Sequence, residues 1–584
     1  METVQVRVKL WHRVFGGLVP CIVSWALTSF PVWGCWVYWK AVPIYVIIVC
    51  GIMNLSMVLM VVNFPIVFSR ARESPSLLKI PLEPSDSSRT SAQPLFLHHV
   101  FIVTSRSHFL DAAVRSTMAS IEALVYPAES KLSVFVVIQN QHEQHRDVES
   151  LDVSSSDFTL DGRSVPVRVV ACTLSPGDRS FRSAAERLVA RSLETGSEAD
   201  TLVTLAPSGS RFSPSFLVQL QKVYDHKHMF NILQPAISYD VWEAWFFIRV
   251  LSFITMFMRN GLFIPMKAQP CDVYTAPLCL LRKLDYQDPK YVAADLHLIH
   301  QACAATHGAS MLTFVPTLVV AGSDEKWLVN AGFLRSLRSF WFQQYRQMSK
   351  DCQEVVYLLA SSRNIGLARW FGLTFNILSV DCFMIMMGAC LVCFNWLPTV
   401  VMGSKVNSVL FPSKSLDEVF ALVNLPSAVF IVFLYSFCLY YEKKNVIWKR
   451  KNYRGAMIIS LLKTTYFITA PFLMLIFITI PGLIAHTLFA FGAPLPPAER
   501  PSSSEVENSP QQRNAPEVLS RRLSAGLGVN LGLGISTFSG VPFSPKHSSS
   551  ASEQHRLSNE RHERHGLLSN SGSFTSPDHK STGP

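Results

Sequence analysis

Few side chains in this sequence combine a reactive type with an informative spacing, and Asp295 is the first of them. It stands just before the apolar run Leu296 to Cys303. A carboxylate there can take a proton from a hydroxyl, or it can cap the amino end of the helix that follows, and the two uses are compatible. His297 and His300 follow Asp295 by two and five positions, which is not the i, i+4 pair that grips a metal from one helix face, so they read as surface or core histidines. Gln343 and Arg346 lie farther on, among Arg335, Arg338 and Lys350 and beside Phe340, Trp341 and Phe342. A guanidinium holds phosphate oxygens with two parallel hydrogen bonds, and the same basic, aromatic composition also suits a helix lying on an anionic membrane surface. Cys390 and Cys393 have redox spacing inside an apolar stretch, where a structural pair of thiols is favoured, and Asp381 in the same stretch is expensive in hydrocarbon. Walker loops, dinucleotide glycine fingerprints, zinc signatures and nucleophile elbows are absent.

The elements that must position these residues begin with membrane spans. Charged residues make up 16% of the chain and hydrophobic ones 49%, far from ordinary soluble composition. Val14–Tyr38 and Ala41–Phe68 are each long enough to cross the hydrocarbon layer as a hairpin, and Phe371–Leu397, Val419–Tyr441 and Tyr466–Phe491 are three further candidates. Basic clusters precede the first span (Arg7, Lys9, Arg13), follow the second (Arg70, Arg72) and follow the fourth (Lys443 to Arg454). The positive-inside bias then places Ala71 to Ala368 in the cytosol of a multipass membrane protein, in a plasma or internal membrane. The net charge of +11 is accounted for by these clusters rather than by nucleic acid. The twelve cysteines form neither a disulfide framework nor a repeated ligand pattern.

Between the spans the periodicity changes. Residues 73–94 are rich in Ser and Pro and read as a linker. Phe96–Thr104, Leu132–Ile138, Val165–Ala171 and Thr201–Leu205 read as strands, with helical spacing over Phe109–Val125 and Ala184–Leu193. Such alternation predicts a mostly parallel sheet with its ligand site at the carboxyl ends of the strands. Ile237–Ile264, aromatic but broken by Arg249 and Arg259, is expected to be one helix lying in the interface or against the membrane face of this domain, with a sixth membrane span as the alternative. The expected organisation is a hairpin over 1–72, the linker, an α/β domain over 95–350, membrane helices over 351–491 and a disordered Ser-rich tail over 492–584.

Several segments in this order resemble those of the family 2 membrane glycosyltransferases, the cellulose, chitin and hyaluronan synthases and their relatives. Val100 to Thr104, the Phe109 helix and Leu132 to Ile138 resemble the opening strand, helix and strand of that family's GT-A fold. Ala199 to Leu205 resembles the strand leading to its metal-binding Asp-x-Asp, and Arg211 to Leu217 the segment after it. Leu280 to Pro289 takes the place of the stretch before the catalytic acid, Ala293-Ala294-Asp295-Leu296 resembles the Thr-Glu-Asp motif, and Gln343-Gln344-Tyr345-Arg346-Gln347 resembles Gln-x-x-Arg-Trp.

The resemblance implies a GT-A-like cytosolic α/β domain inserted between transmembrane helices. It further implies inverting transfer of a hexose from a nucleotide sugar to a glycan or lipid acceptor. Asp295 would be the base, Arg346 and Gln343 would lie near the diphosphate and acceptor, and Gln139, at the end of the second strand, near the nucleotide base. The sequence departs from the family where Asp-x-Asp is replaced by Ala206-Pro207-Ser208, which removes both carboxylates for magnesium or manganese. The Trp ending the later motif is Gln347. A catalytically inactive partner or regulator of an active synthase, or a homo-oligomer, and a transporter or channel are the competing expectations.

Overall fold

The computed structural model describes residues 8–37 and 41–71, most of 97–322, and 333–389, 432–437 and 469–492. The expected linker, the Cys390 and Cys393 pair, most of Val419–Tyr441 and the tail beyond residue 492 lie outside the described residues.

Among the described residues, eight strands form one sheet in the order β5-β2-β1-β6-β9-β8-β10-β7. They are β1 (His98–Ser105), β2 (Lys131–Gln139), β5 (Val167–Cys172), β6 (Thr201–Pro207), β7 (Arg211–Phe212), β8 (Ile232–Tyr239), β9 (Tyr274–Pro277) and β10 (Leu312–Ala321). The strands β3 (Phe158–Leu160) and β4 (Arg163–Val165) form a separate ribbon. Pairing is parallel from β5 through β6 and between β8 and β10, while β9 runs antiparallel between β6 and β8. This mixed α/β sheet is consistent with the GT-A-like domain expected from the sequence.

The central strands are apolar on both faces because both faces are covered. Along β1, Val100 and Ile102 enter one core and Phe101 and Val103 the other. The first core is completed by α4 (Phe181–Ser192), α8 (Leu278–Lys283) and α9 (Ala294–Ala305), and the second by α3 (Ala112–Glu122) and α5 (Phe216–Val223). α4 starts on Ser180, whose hydroxyl accepts from the Ser183 amide and so satisfies one of the open donors of the first turn.

The apolar helices are α1 (Leu10–Val37), α2 (Ala41–Ala71) and α6 (Phe246–Met258), the last continuing through a π-turn, Arg259–Phe263, into α7 (Ile264–Met266). They are followed by α10 (Phe333–Ser361), α11 (Leu367–Ala389) and α12 (Ala470–Met474), which passes through a second π-turn into α13 (Ile480–Ala490). Among the described residues, four segments are long and apolar enough to cross a membrane: Leu10–Ser29, Asn54–Ala71, Phe246–Met266 and Phe472–Ala490. Met60 and Phe64 of α2, Phe247 and Phe257 of α6, Phe340 of α10 and Phe477 share one core. Phe64 stacks on Phe257 at 4.1 Å and Phe247 on Phe477 at 5.4 Å. The approach of α2 to the π-turn depends on Gly261, where a Cβ would stand 2.8 Å from the Met60 carbonyl oxygen.

The expectation of one helix over Ile237–Ile264 is corrected. Ile237, Ser238 and Tyr239 end β8, and the helix begins only at Phe246. Both pieces are apolar because both are buried, so hydropathy did not divide them. Asn260, fully buried in the π-turn, rejoins them: its side chain accepts from the Ile237 amide at 3.0 Å and donates to the Ile237 carbonyl at 2.7 Å.

Candidate functional site

β9 enters the sheet at the end where β6 and β8 leave it. Its register runs from Leu202 opposite Pro277 to Leu205 opposite Tyr274, and Asp272 lies two residues before the strand begins. The segment carrying Asp272 is bracketed by Gln234 of β8, which is fully buried. The Gln234 amide oxygen accepts from the Cys271 amide at 2.7 Å and its nitrogen donates to the Val273 carbonyl at 3.0 Å, so the backbone on either side of Asp272 is fixed.

Three side chains converge on Asp272. The Tyr239 hydroxyl donates to Oδ2 at 2.8 Å, and Arg259 of the π-turn donates both to Oδ2 and to the Tyr239 hydroxyl. Arg182 of α4 donates to the Asp272 carbonyl, with Nη1 3.6 Å from Oδ1. Burial opposes the charge on Asp272, but Arg259 and then Arg182 outweigh it and hold the carboxyl well below the usual range.

One turn along α4 from Arg182, Glu186 meets the opposite fate. It is 1% exposed, and burial pushes its carboxyl up to about 7, against the opposing effects of Tyr274 and Arg182. The Tyr274 hydroxyl donates to its Oε2 at 2.7 Å and lies 3.2 Å from the Gln287 amide, while Oε1 has no hydrogen-bond partner. Two carboxyls beside one arginine are thus driven in opposite directions.

Asp295 lies in the first turn of α9, half-buried, one residue inside the helix rather than at the cap. A negative charge there is favoured by the helix dipole instead of by a capping bond. Arg259, Tyr274 and Lys350 all feel its charge, and Arg259 and Lys350 feel that of Asp272 as well. Lys350 of α10 is depressed below the usual range by burial; Asp295 opposes the shift and Arg346 adds to it. Asp295 and Arg346 thus both act on the charge of Lys350. Gln343 lies one turn before Arg346 on α10, half-buried. Gln139 ends β2, with its amide oxygen buried and lacking a hydrogen-bond partner.

Asp272, Arg259, Arg182, Glu186 and Tyr239 were not singled out from sequence. Asp272 lies two residues before β9, a strand only four residues long, in a stretch with neither strand nor helix periodicity. His297 and His300 are core residues, each 1% exposed, and both place Nδ1 against the buried Glu354 carboxylate at 3.2 and 2.8 Å. Tyr291 stacks on His297 at 3.6 Å. This arrangement ties α9 to α10 with a carboxylate held down at about 2, burial being overcome by the two imidazoles.

The residues at the end of β6 do not suit a divalent ion. Ala206 and Pro207 are buried and carry no oxygen ligand on their side chains. The turn is closed by its own bonds: the Ser208 amide donates to the Thr104 carbonyl at 2.8 Å, and the Gly209 amide to Thr117 Oγ1 at 2.8 Å. Gly322 lies so close that a Cβ there would strike the Ser208 carbonyl. Among the described residues no group of three or more His, Cys, Asp or Glu side chains is arranged to hold a metal.

No protein-family model matches the sequence, and no curated protein matches it. Among solved structures, a mannosyltransferase from Pyrobaculum calidifontis, in complex with GDP-Man and Mn2+, is similar at 14% identity over 72% of this chain and 97% of that one, with a TM-score of 0.33. Residues 1–349 of S. aureus TarS in complex with UDP-GlcNAc are similar at 11% identity over 64% of this chain and 91% of that one, with a TM-score of 0.27. A further S. aureus TarS structure is similar at 12% identity over 49% and 54% of the two chains, with a TM-score of 0.26.

Proposed function

We propose that this protein is a membrane-embedded glycosyltransferase that moves a hexose from a nucleotide sugar to a glycan or lipid acceptor with inversion. The observation that supports the reading is the ion-paired cluster of Asp272 with Arg182 and Arg259 just before β9, together with the influence of Asp295 on the charges of Arg259 and Lys350. In the reaction the acceptor hydroxyl attacks the anomeric carbon, and its proton passes to Asp295 as the new C–O bond forms. The bond from the anomeric carbon to the diphosphate oxygen breaks on the opposite side, and its electron pair leaves with the diphosphate. Developing charge there is met by fixed cations, which need no reorganisation at the moment of reaction.

Membrane embedding is supported by an uncovered stripe on α2. Ile48, Ile52, Leu55, Leu59, Val62 and Ile66 recur at steps of three and four and are exposed, which suits a helix facing lipid tails. The domain would then stand on the cytosolic side against the membrane.

The test is release of nucleoside diphosphate by the purified full chain in detergent, over a panel of nucleotide sugars and with lipid or glycan acceptors. Asp295→Asn should lower turnover by roughly 10²–10⁴-fold while leaving nucleotide affinity within a few-fold. Unchanged turnover in that variant would refute the assignment. The loss of both carboxylates at Ala206-Pro207-Ser208 favours a second reading, a non-catalytic partner of an active synthase, which would bind nucleotide and show no turnover.

A further inference from the structure

Resting on the reading above, we infer that the diphosphate of the nucleotide sugar is held here by side-chain cations, chiefly Arg182, Lys350 and Arg346, with no divalent metal ion between protein and ligand. The carboxylates that would seat such an ion at the end of β6 are replaced by Ala206 and Pro207, both buried, in a turn locked by Thr104 and Thr117. Magnesium and manganese in nucleotide sites rest on one or two carboxylates together with the phosphates. The carboxylate two residues before β9, whose first residue Tyr274 pairs with Leu205 of β6, is Asp272, and it is already taken. Its Oδ2 receives the Tyr239 hydroxyl and Arg259, and Arg182 lies at its Oδ1, so an ion bound there would be pressed against two guanidinium groups.

The charge balance points the same way. At Asp272 two guanidinium groups, Arg182 and Arg259, stand against one carboxylate, while burial pushes the Glu186 carboxyl beside Arg182 toward its neutral form. A divalent ion would enlarge that excess; an ionised diphosphate cancels it. Two donors are prepared for such a ligand. Arg182 keeps a buried Nε without a hydrogen-bond partner, and the Lys350 ammonium is held below its usual range by burial and Arg346 although Asp295, Asp272 and Asp351 favour its charge. An arriving phosphate oxygen would satisfy both, Arg through its planar fork and Lys as a point charge.

Calorimetric titration of the full chain with GDP and with UDP, once in EDTA and once with magnesium or manganese, tests this. The expected result is a Kd in EDTA within about threefold of that with metal, weakened roughly tenfold or more by Lys350→Ala and by Arg346→Ala and largely restored in Lys350→Arg. Binding that appears only with metal would overturn the inference and leave the glycosyltransferase reading standing. Failure of both nucleotides, in either condition, together with every nucleotide sugar of the turnover panel, would remove both. The comparison in EDTA uses the unaltered protein and so does not depend on the variants folding.

Discussion

Glu186→Gln isolates a single buried proton. In the folded chain the Glu186 carboxyl titrates near 7 instead of 4.5, because burial outweighs the Tyr274 hydroxyl and Arg182. The groups facing it are Arg182 on its own helix, Tyr274 on β9 and Gln287 before α9. A raised carboxyl means that the folded state holds a proton the unfolded chain has released. Stability is therefore greatest below about 4.5, falls as pH rises toward about 7, and is flat above it. The shift corresponds to about 3 kcal/mol lost across that window. Glutamine keeps the shape and the acceptor for Tyr274 but carries no proton to lose. The variant should match the parent near pH 4.5 and exceed it above pH 7 by roughly 5–10 °C in apparent Tm, for a domain of this size. Thermal unfolding in one detergent, followed by intrinsic fluorescence at half-unit pH steps, reads this directly. Parallel curves for parent and variant at every pH would refute the reasoning, because they would mean that Glu186 is as ionised in the fold as outside it.

Glu354→Ala removes the acceptor shared by His297 and His300 and leaves two buried imidazoles unpaired, at a cost of about 3–5 kcal/mol; a melting temperature within a degree of the parent would contradict it. Gly322→Ala drives a methyl group into the Ser208 carbonyl, where neither backbone has room to yield, and should cost about 1–3 kcal/mol by denaturant or thermal unfolding. Normal stability in that variant would mean the turn after β6 is looser than its hydrogen bonds imply.

The strands β1, β2 and β6 and helix α4 were legible in the sequence because each is a continuous apolar or helically spaced run enclosed by its neighbours. The end of β8 and the helix after it were not separated, since burial erases the contrast that marks a boundary. Asp295 and Arg346 were singled out through segment order, and both act on the charge of Lys350. Asp272 and Arg259 had no such signal. Thirteen positions separate them in the chain, and what joins them is a π-turn and a short antiparallel strand, neither of which leaves a period in the sequence. Glu186 was hidden for a related reason: an acidic residue in an amphipathic helix ordinarily faces water, and this one faces the sheet.

The extra residue accommodated by the π-turn at Arg259–Phe263 lets three successive side-chain positions serve three masters: Arg259 reaches the Asp272 carboxylate, Asn260 the backbone of β8, and Gly261 admits α2. Excising one residue there would return the helix to ordinary winding and rotate everything upstream against everything downstream by about 100°. One of the three partnerships would then have to be abandoned, so the coupling between α2 and the Asp272 cluster is written into a local miscount of the helical ladder.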